Sequence, residues 1–98
     1  MLSPQRKRLI LHLLREHLKF ERLAQGCKQY DVQLDKQPNL LAPVIRLMGY
    51  SYDNTSNGIT LAFIQSYAQV SDRLHSPKPN IEALAQERLE LLLKAHAS

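Results

Sequence analysis

Apolar residues cover more than half of the circumference of one long predicted helix near the start of the chain, at about residues 4–26. At 100° per residue they form two adjacent stripes. The first stripe contains Leu9, Leu13, Phe20, Leu23, Ala24 and Cys27, and the second contains Ile10, Leu11, Leu14 and Leu18. A surface helix needs an apolar arc of only about 100°. This helix is therefore predicted either to be central to a bundle or to contact a second copy of the chain.

Signals for helix ends divide the rest of the chain into three further helices. Ser3 and Pro4 suit an N-cap and a first helical residue, and Asn39 and Asn80 are expected to cap later helices. Gly49 suits the residue that follows a helix C-terminus. The helices are expected at about 4–26, 40–48, 58–75 and 81–96. The predicted fold is an all-α, four-helix, bundle-like domain with one short helix.

Length and composition agree with one helical domain over residues 1–98. A chain of 98 residues suits a single domain, and a hydrophobic content of 44% is too high for a disordered chain. No apolar run approaches the ~18 residues of a membrane span. The single cysteine, Cys27, is expected to be a small buried side chain, and residues 29–34 fit a helix, a loop or a strand. Because no secretory or organellar leader is favoured, we expect a cytoplasmic protein.

The arc of the first helix that is not apolar is narrow, about 80° wide, and basic. The basic stripe contains Arg8, His12, Arg15, Lys19 and Arg22. The chain has a net charge of +4, to which residues 1–30 contribute +5 and residues 31–98 contribute −1. A row of such side chains suits phosphates or an acidic protein, although it also fits a solvated face that binds nothing. The basic stripe is therefore the candidate anion- or partner-binding site.

Surplus apolar positions on several helices favour self-association. A monomer of this length has few elements with which to cover three broad apolar faces. The candidate self-association residues are Ile10, Leu14 and Leu18 in the first helix and Leu61 and Ile64 in the third. We expect a homodimer, and the alternative is a compact monomer with the first helix at its centre.

Motifs that would specify a metal site, a cofactor or a base-reading helix are incomplete. The segment that begins at Asp53 resembles the start of a calcium-binding loop, but its twelfth position is Ile64 in place of the required Glu. His12 and Glu16 are one turn apart, yet two ligands do not make a metal site. The third helix has no Lys or Arg before Arg73, which disfavours a helix–turn–helix reader. We expect no metal, no cofactor and no catalytic residues.

A small non-enzymatic module is the function class that remains. No nucleophile with an adjacent base, and no glycine-rich phosphate loop, is recognisable in the chain. We expect a helical regulatory module that binds an unidentified protein partner and a second copy of itself. The alternative is nucleic-acid binding through the basic stripe, by phosphate contact and with little sequence specificity.

Overall fold

The computed structural model describes residues 2–25, 41–50 and 58–97. These residues form four α-helices: α1 (Pro4–Gln25), α2 (Leu41–Leu47), α3 (Gly58–Leu74) and α4 (Ile81–Ala97). No β-strand occurs within the described ranges. The prediction of an all-α fold with one short helix is confirmed, and each predicted helix end agrees with the structure to within one residue.

Side-chain caps begin the first and the last helix where the sequence predicted them. The Arg6 backbone N–H donates to Ser3 Oγ at 3.1 Å, and Pro4 follows as the first residue of α1. The Ala83 N–H likewise donates to Asn80 Oδ1 at 3.1 Å. Each cap satisfies an N–H group that has no acceptor within its own helix, and a cap of this kind contributes about 1 kcal/mol.

A glycine ends α2 through a pair of backbone hydrogen bonds. Gly49 has a φ of +92°, a left-handed conformation that side chains with a Cβ rarely adopt. The Gly49 N–H donates to the Arg46 carbonyl at 2.9 Å, and the Tyr50 N–H donates to the Ile45 carbonyl at 3.2 Å. This pair of bonds defines a Schellman motif, which supports the prediction that Gly49 follows the helix end.

One apolar core is shared by all four helices. α4 packs against both α1 and α3, and α2 contacts α1 and α3. The core residues are Leu2, Ile10, Leu14, Leu18, Val44, Ile45, Met48, Ile59, Phe63, Val70, Leu74, Leu84, Ala85, Leu89 and Leu92. Full burial of a side chain as large as Val, Leu or Ile stabilises the fold by about 1.5–3 kcal/mol relative to its exposure.

Four sequence-based predictions lie outside the described residues. They concern Cys27, the segment 29–34, the helix cap at Asn39 and the loop that begins at Asp53. Among the helices that the structure describes, none has the length and apolar character that crossing a membrane requires.

Candidate functional site

The basic stripe lies along α1, and part of it remains open to solvent. Arg8, His12 and Lys19 are exposed. Lys19 lies beside Glu16, with its Nζ atom 3.4 Å from a carboxylate oxygen, in a pair in which both side chains are about half exposed. Exposed pairs of this kind contribute little to stability. These three side chains are therefore the members of the stripe that face solvent.

The other two members of the stripe bind groups of their own chain. Arg15 donates to the Glu82 carboxylate at 2.7 Å, which joins α1 to the first turn of α4. Arg22 donates to the carbonyl oxygens of Leu74, Ser76 and Pro77 at 2.6, 2.7 and 3.2 Å. These carbonyls lie at the C-terminus of α3, where acceptors lack partners and the helix dipole attracts a cation. Arg22 therefore acts as a C-terminal cap supplied by another helix.

The predicted self-association residues on α1 belong to the core. Ile10, Leu14 and Leu18 each have no exposed surface within a single copy of the chain, so they cannot also meet a second copy. The placement of these three residues at an interface was wrong. The two apolar stripes of α1 together are so broad that periodicity alone does not show which stripe faces the core. In the structure, neighbouring helices cover the stripe that contains Ile10, Leu14 and Leu18.

The predicted self-association residues on α3 are exposed. Leu61 and Ile64 retain 52% and 56% of their accessible surface. They are one turn apart on the same side of the helix, with Gln65 and Ala68 exposed beside them. These four residues form the α3 face. From Gly58 to Ser71, α3 contains no Asp, Glu, Lys, Arg or His.

A buried polar cluster joins α1, α3 and α4, and it was not predicted from the sequence. Its centre is Arg88 of α4, which has no exposed surface. Arg88 Nε donates to Ser66 Oγ at 3.1 Å, and Nη2 donates to the Phe63 carbonyl at 3.3 Å. Nη1 lies 3.1 Å from His17 Nδ1. Because a guanidinium carries only donors, His17 Nδ1 must be the acceptor, and the ring proton is then on Nε2.

Aromatic rings and one carboxylate complete the surroundings of this cluster. The guanidinium carbon of Arg88 lies 4.8 Å from the centre of the Phe63 ring and 5.6 Å from that of Tyr67, within the range of cation–π attraction. The Tyr67 hydroxyl donates to the buried carboxylate of Glu21 at 3.2 Å. Glu21 therefore provides negative charge near the buried cation, which such a cation requires.

Burial shifts the proton affinities of the two basic groups in the cluster. Burial, and secondarily the positive charge of Arg88, lowers the pKa of His17 from 6.5 to about 4. His17 is thus neutral at neutral pH, and its 3.7 Å approach to Glu21 is not an ion pair there. Burial also lowers the pKa of Arg88 to about 10, against the opposing effect of Tyr67 and Glu21, and leaves it charged at neutral pH.

The cluster is a cross-link between helices, because its members bind one another. The Arg88 side chain by itself contacts groups of both α1 and α3, so it holds these two helices against its own helix, α4. Its sequence signal is a polar residue at an apolar position: Arg88 lies one turn from both Leu84 and Leu92 in the buried stripe of α4. Ser66, flanked by Phe63 and Val70 on α3, gives the same signal.

Comparisons of the chain with protein-family models, with curated proteins and with solved structures returned no match. In the described part of the chain, no three metal-ligating side chains are grouped closely enough to hold an ion. Among the described residues, two exposed surfaces are the candidate functional features: the α3 face and the exposed part of the basic stripe.

Proposed function

We propose that this chain is a small non-enzymatic binding module that associates with a second copy of itself through the α3 face. One observation carries the proposal: an exposed helix face that holds Leu61 and Ile64 lies within a 14-residue segment, Gly58 to Ser71, without a charged side chain. The solvent-facing side of an isolated surface helix normally carries charged and polar residues. A helix face covered by a partner does not need them.

The composition of the α3 face favours a second copy as the partner. In a two-fold dimer the same patch occurs on both sides, so a charged patch would repel its copy and an uncharged one would not. Leu61 and Ile64 supply apolar contact, and the small Ala68 allows two helices to approach closely. Gln65 can both donate and accept a hydrogen bond, so it can pair with its own copy.

The size of the patch sets the expected strength of association. Two exposed aliphatic side chains per protomer form a much smaller apolar surface than that of an obligate dimer. The described residues of one copy also form a core to which all four helices contribute. We therefore expect a reversible dimer that dissociates on dilution without unfolding.

A charge placed on the α3 face tests the proposal. We expect the molar mass from light scattering to rise with concentration toward that of a dimer in the wild type, and to stay at the monomer value in Ile64→Glu. Gln86→Glu is the matched control, because Gln86 is exposed on α4 and the change adds the same charge. A wild type that remains monomeric at high concentration, or an Ile64→Glu protein that dimerises as the wild type does, would refute the proposal.

Nucleic-acid binding through the basic stripe is the alternative function. The engagement of Arg15 and Arg22 within the chain leaves Arg8, His12 and Lys19 for phosphates, which is few for a backbone-binding surface. Titration with duplex DNA and with RNA across a range of salt distinguishes the two. Tight binding that weakens with salt and is lost in Arg8→Glu would favour the alternative.

A further inference from the structure

The positive charge of the described residues is concentrated at one end of the bundle. Residues 2–14, 41–50 and 91–97 contain no Asp or Glu, and their basic residues are Arg6, Lys7, Arg8, Arg46 and Lys94. In the rest of the described chain, six Lys and Arg side chains are balanced by six carboxylates. The net positive charge of the described chain therefore comes from these three segments.

Contacts between the three segments bring this charge together. Arg6 Nη1 donates to the Leu47 carbonyl at 3.2 Å, which joins the start of α1 to the end of α2. The Tyr50 hydroxyl and His96 Nδ1 are 3.1 Å apart, and their rings meet edge to face, which joins the end of α2 to the end of α4. We call this surface the basic end.

Two adjoining clefts open at the basic end. The first has a volume of about 640 Å³, and its lining combines Arg6 and Arg46 with the apolar side chains of Leu9, Pro43 and Leu47. The second has a volume of about 340 Å³, and its lining includes Leu2, Met48 and His96. The clefts share Ser3 and Arg6 in their linings, and the two adjoining clefts together are called the groove.

The groove has both an exposed apolar surface and available donors. Leu9 is 48% exposed and lines the first cleft, so an apolar group of a ligand can pack against it. Arg6 uses one N–H group on Leu47, which holds the guanidinium in place and leaves further donors. Arg46 is exposed, and its side chain binds no group in the part of the chain that the structure describes. A guanidinium group is suited to a carboxylate, which it can bind through two parallel hydrogen bonds.

We propose that this groove binds an acidic, partly apolar peptide segment of a partner protein. A carboxylate of the peptide binds Arg6 and Arg46, and an adjacent apolar side chain packs on Leu9, Pro43 and Leu47. Because the three segments around the groove contain Arg and Lys but no carboxylate, their charge is complementary to that of an acidic peptide. The apolar lining residues favour such a peptide over nucleic acid, whose backbone presents repeated phosphates and little apolar surface.

Fluorescence polarisation with defined peptides tests the proposal. The probe is a labelled pool of peptides made of Asp, Glu, Leu and Phe, and the comparison pool has Asn and Gln in place of the acids. We expect saturable binding of the acidic pool that weakens with salt, with the neutral pool at least about tenfold weaker. Absence of saturable binding, or equal binding of the two pools, would overturn the proposal.

Single charge reversals locate the site. We expect Arg46→Glu to weaken binding of the acidic pool by about tenfold or more. Lys78→Glu is the matched control, since Lys78 is exposed in the connector between α3 and α4, and we expect it to change binding by less than about twofold at moderate salt. Both positions are exposed, so neither change threatens folding. An equal loss in the two variants would mean that net charge, not the groove, binds the peptide.

Two further measurements separate this site from the other surfaces. We expect Ile64→Glu to bind the acidic pool as tightly as the wild type, because the α3 face does not line the groove. Failure of the self-association proposal therefore leaves this inference intact. A single-stranded oligothymidylate is the competing probe: tighter binding of this probe than of the peptides, lost in Arg46→Glu, would assign the groove to nucleic acid and overturn the proposal.

Discussion

Acidification is expected to destabilise the fold through His17 at a pH where most carboxylates are still ionised. The His17 side chain is only 15% exposed, and its ring lies edge-on to Phe63 and Tyr67 with centroid distances of 5.8 Å. It accepts a hydrogen bond from Arg88 through Nδ1. A proton on Nδ1 would remove that bond and place a second positive charge beside the guanidinium. The folded protein therefore keeps His17 neutral, with a pKa of about 4.

The sign and size of the effect follow from the two proton affinities. The unfolded chain has an ordinary histidine pKa near 6.5, and the folded chain has a pKa of about 4. Above pH 6.5 His17 is neutral in both states and does not alter stability. As the pH falls from 6.5 toward 4, the unfolded state binds a proton that the folded state does not. The free energy of unfolding then falls by up to about 1.4 kcal/mol per pH unit, and by roughly 3 kcal/mol in total.

Urea unfolding at a series of pH values measures this loss. His17→Gln is the informative variant, because its side-chain oxygen can still accept from Arg88 and it does not titrate. We expect the wild-type free energy of unfolding to fall, relative to that of His17→Gln, by roughly 3 kcal/mol between pH 7 and pH 4. This is a large part of the 5–15 kcal/mol typical of a domain. His12→Gln, at an exposed position on the same helix, is the control. Parallel wild-type and His17→Gln curves over this pH range would refute the reasoning.

Substitutions at three further positions test polar contacts within the chain, with urea unfolding as the common measurement. Arg88→Ala should lower the free energy of unfolding by about 3–5 kcal/mol, because it removes the cation from a buried network and leaves the Glu21 carboxylate buried without that cation. A loss as small as that caused by a substitution at an exposed position would contradict the proposed cross-link. Arg22→Ala should cost roughly 2 kcal/mol through the uncapped carbonyls of α3, and Arg22→Lys should recover only part of this, since an ammonium lacks the planar fork. Arg73 binds both carboxylate oxygens of Glu87, but this ion pair is exposed. Arg73→Ala should therefore shift the urea midpoint far less than Arg88→Ala or Arg22→Ala. A loss of stability comparable to that of Arg88→Ala would refute this distinction between exposed and buried contacts.

Helix positions could be predicted from the sequence because their signals are local. Ser3 and Asn80 bind N–H groups three residues away, and Gly49 takes a backbone conformation that few other residues adopt. Apolar spacing within each helix supplies the remaining information. The all-α class and the four helices therefore followed from interactions between residues that are close in the chain.

The candidate surfaces could be predicted only in part, since exposure depends on which helices meet. Leu61 and Ile64 are exposed as an interface requires, whereas Ile10, Leu14 and Leu18 are covered by neighbouring helices. Both sets of residues have a similar helical spacing in the sequence, so the spacing did not distinguish the exposed set from the buried one. The groove of the basic end combines residues from α1, α2 and the end of α4, so no single segment contained its signal.

The long first helix, its broad apolar arc and its narrow basic stripe were determined by the sequence itself. The tertiary structure decided which apolar stripe faces inward and which cations remain open to solvent. Arg15 and Arg22 look like Arg8 on a helical wheel, but their partners are 52 to 67 residues away in the chain. Arg88 is buried because helices distant in sequence supply its acceptors, and periodicity within one helix carries no information about such partners.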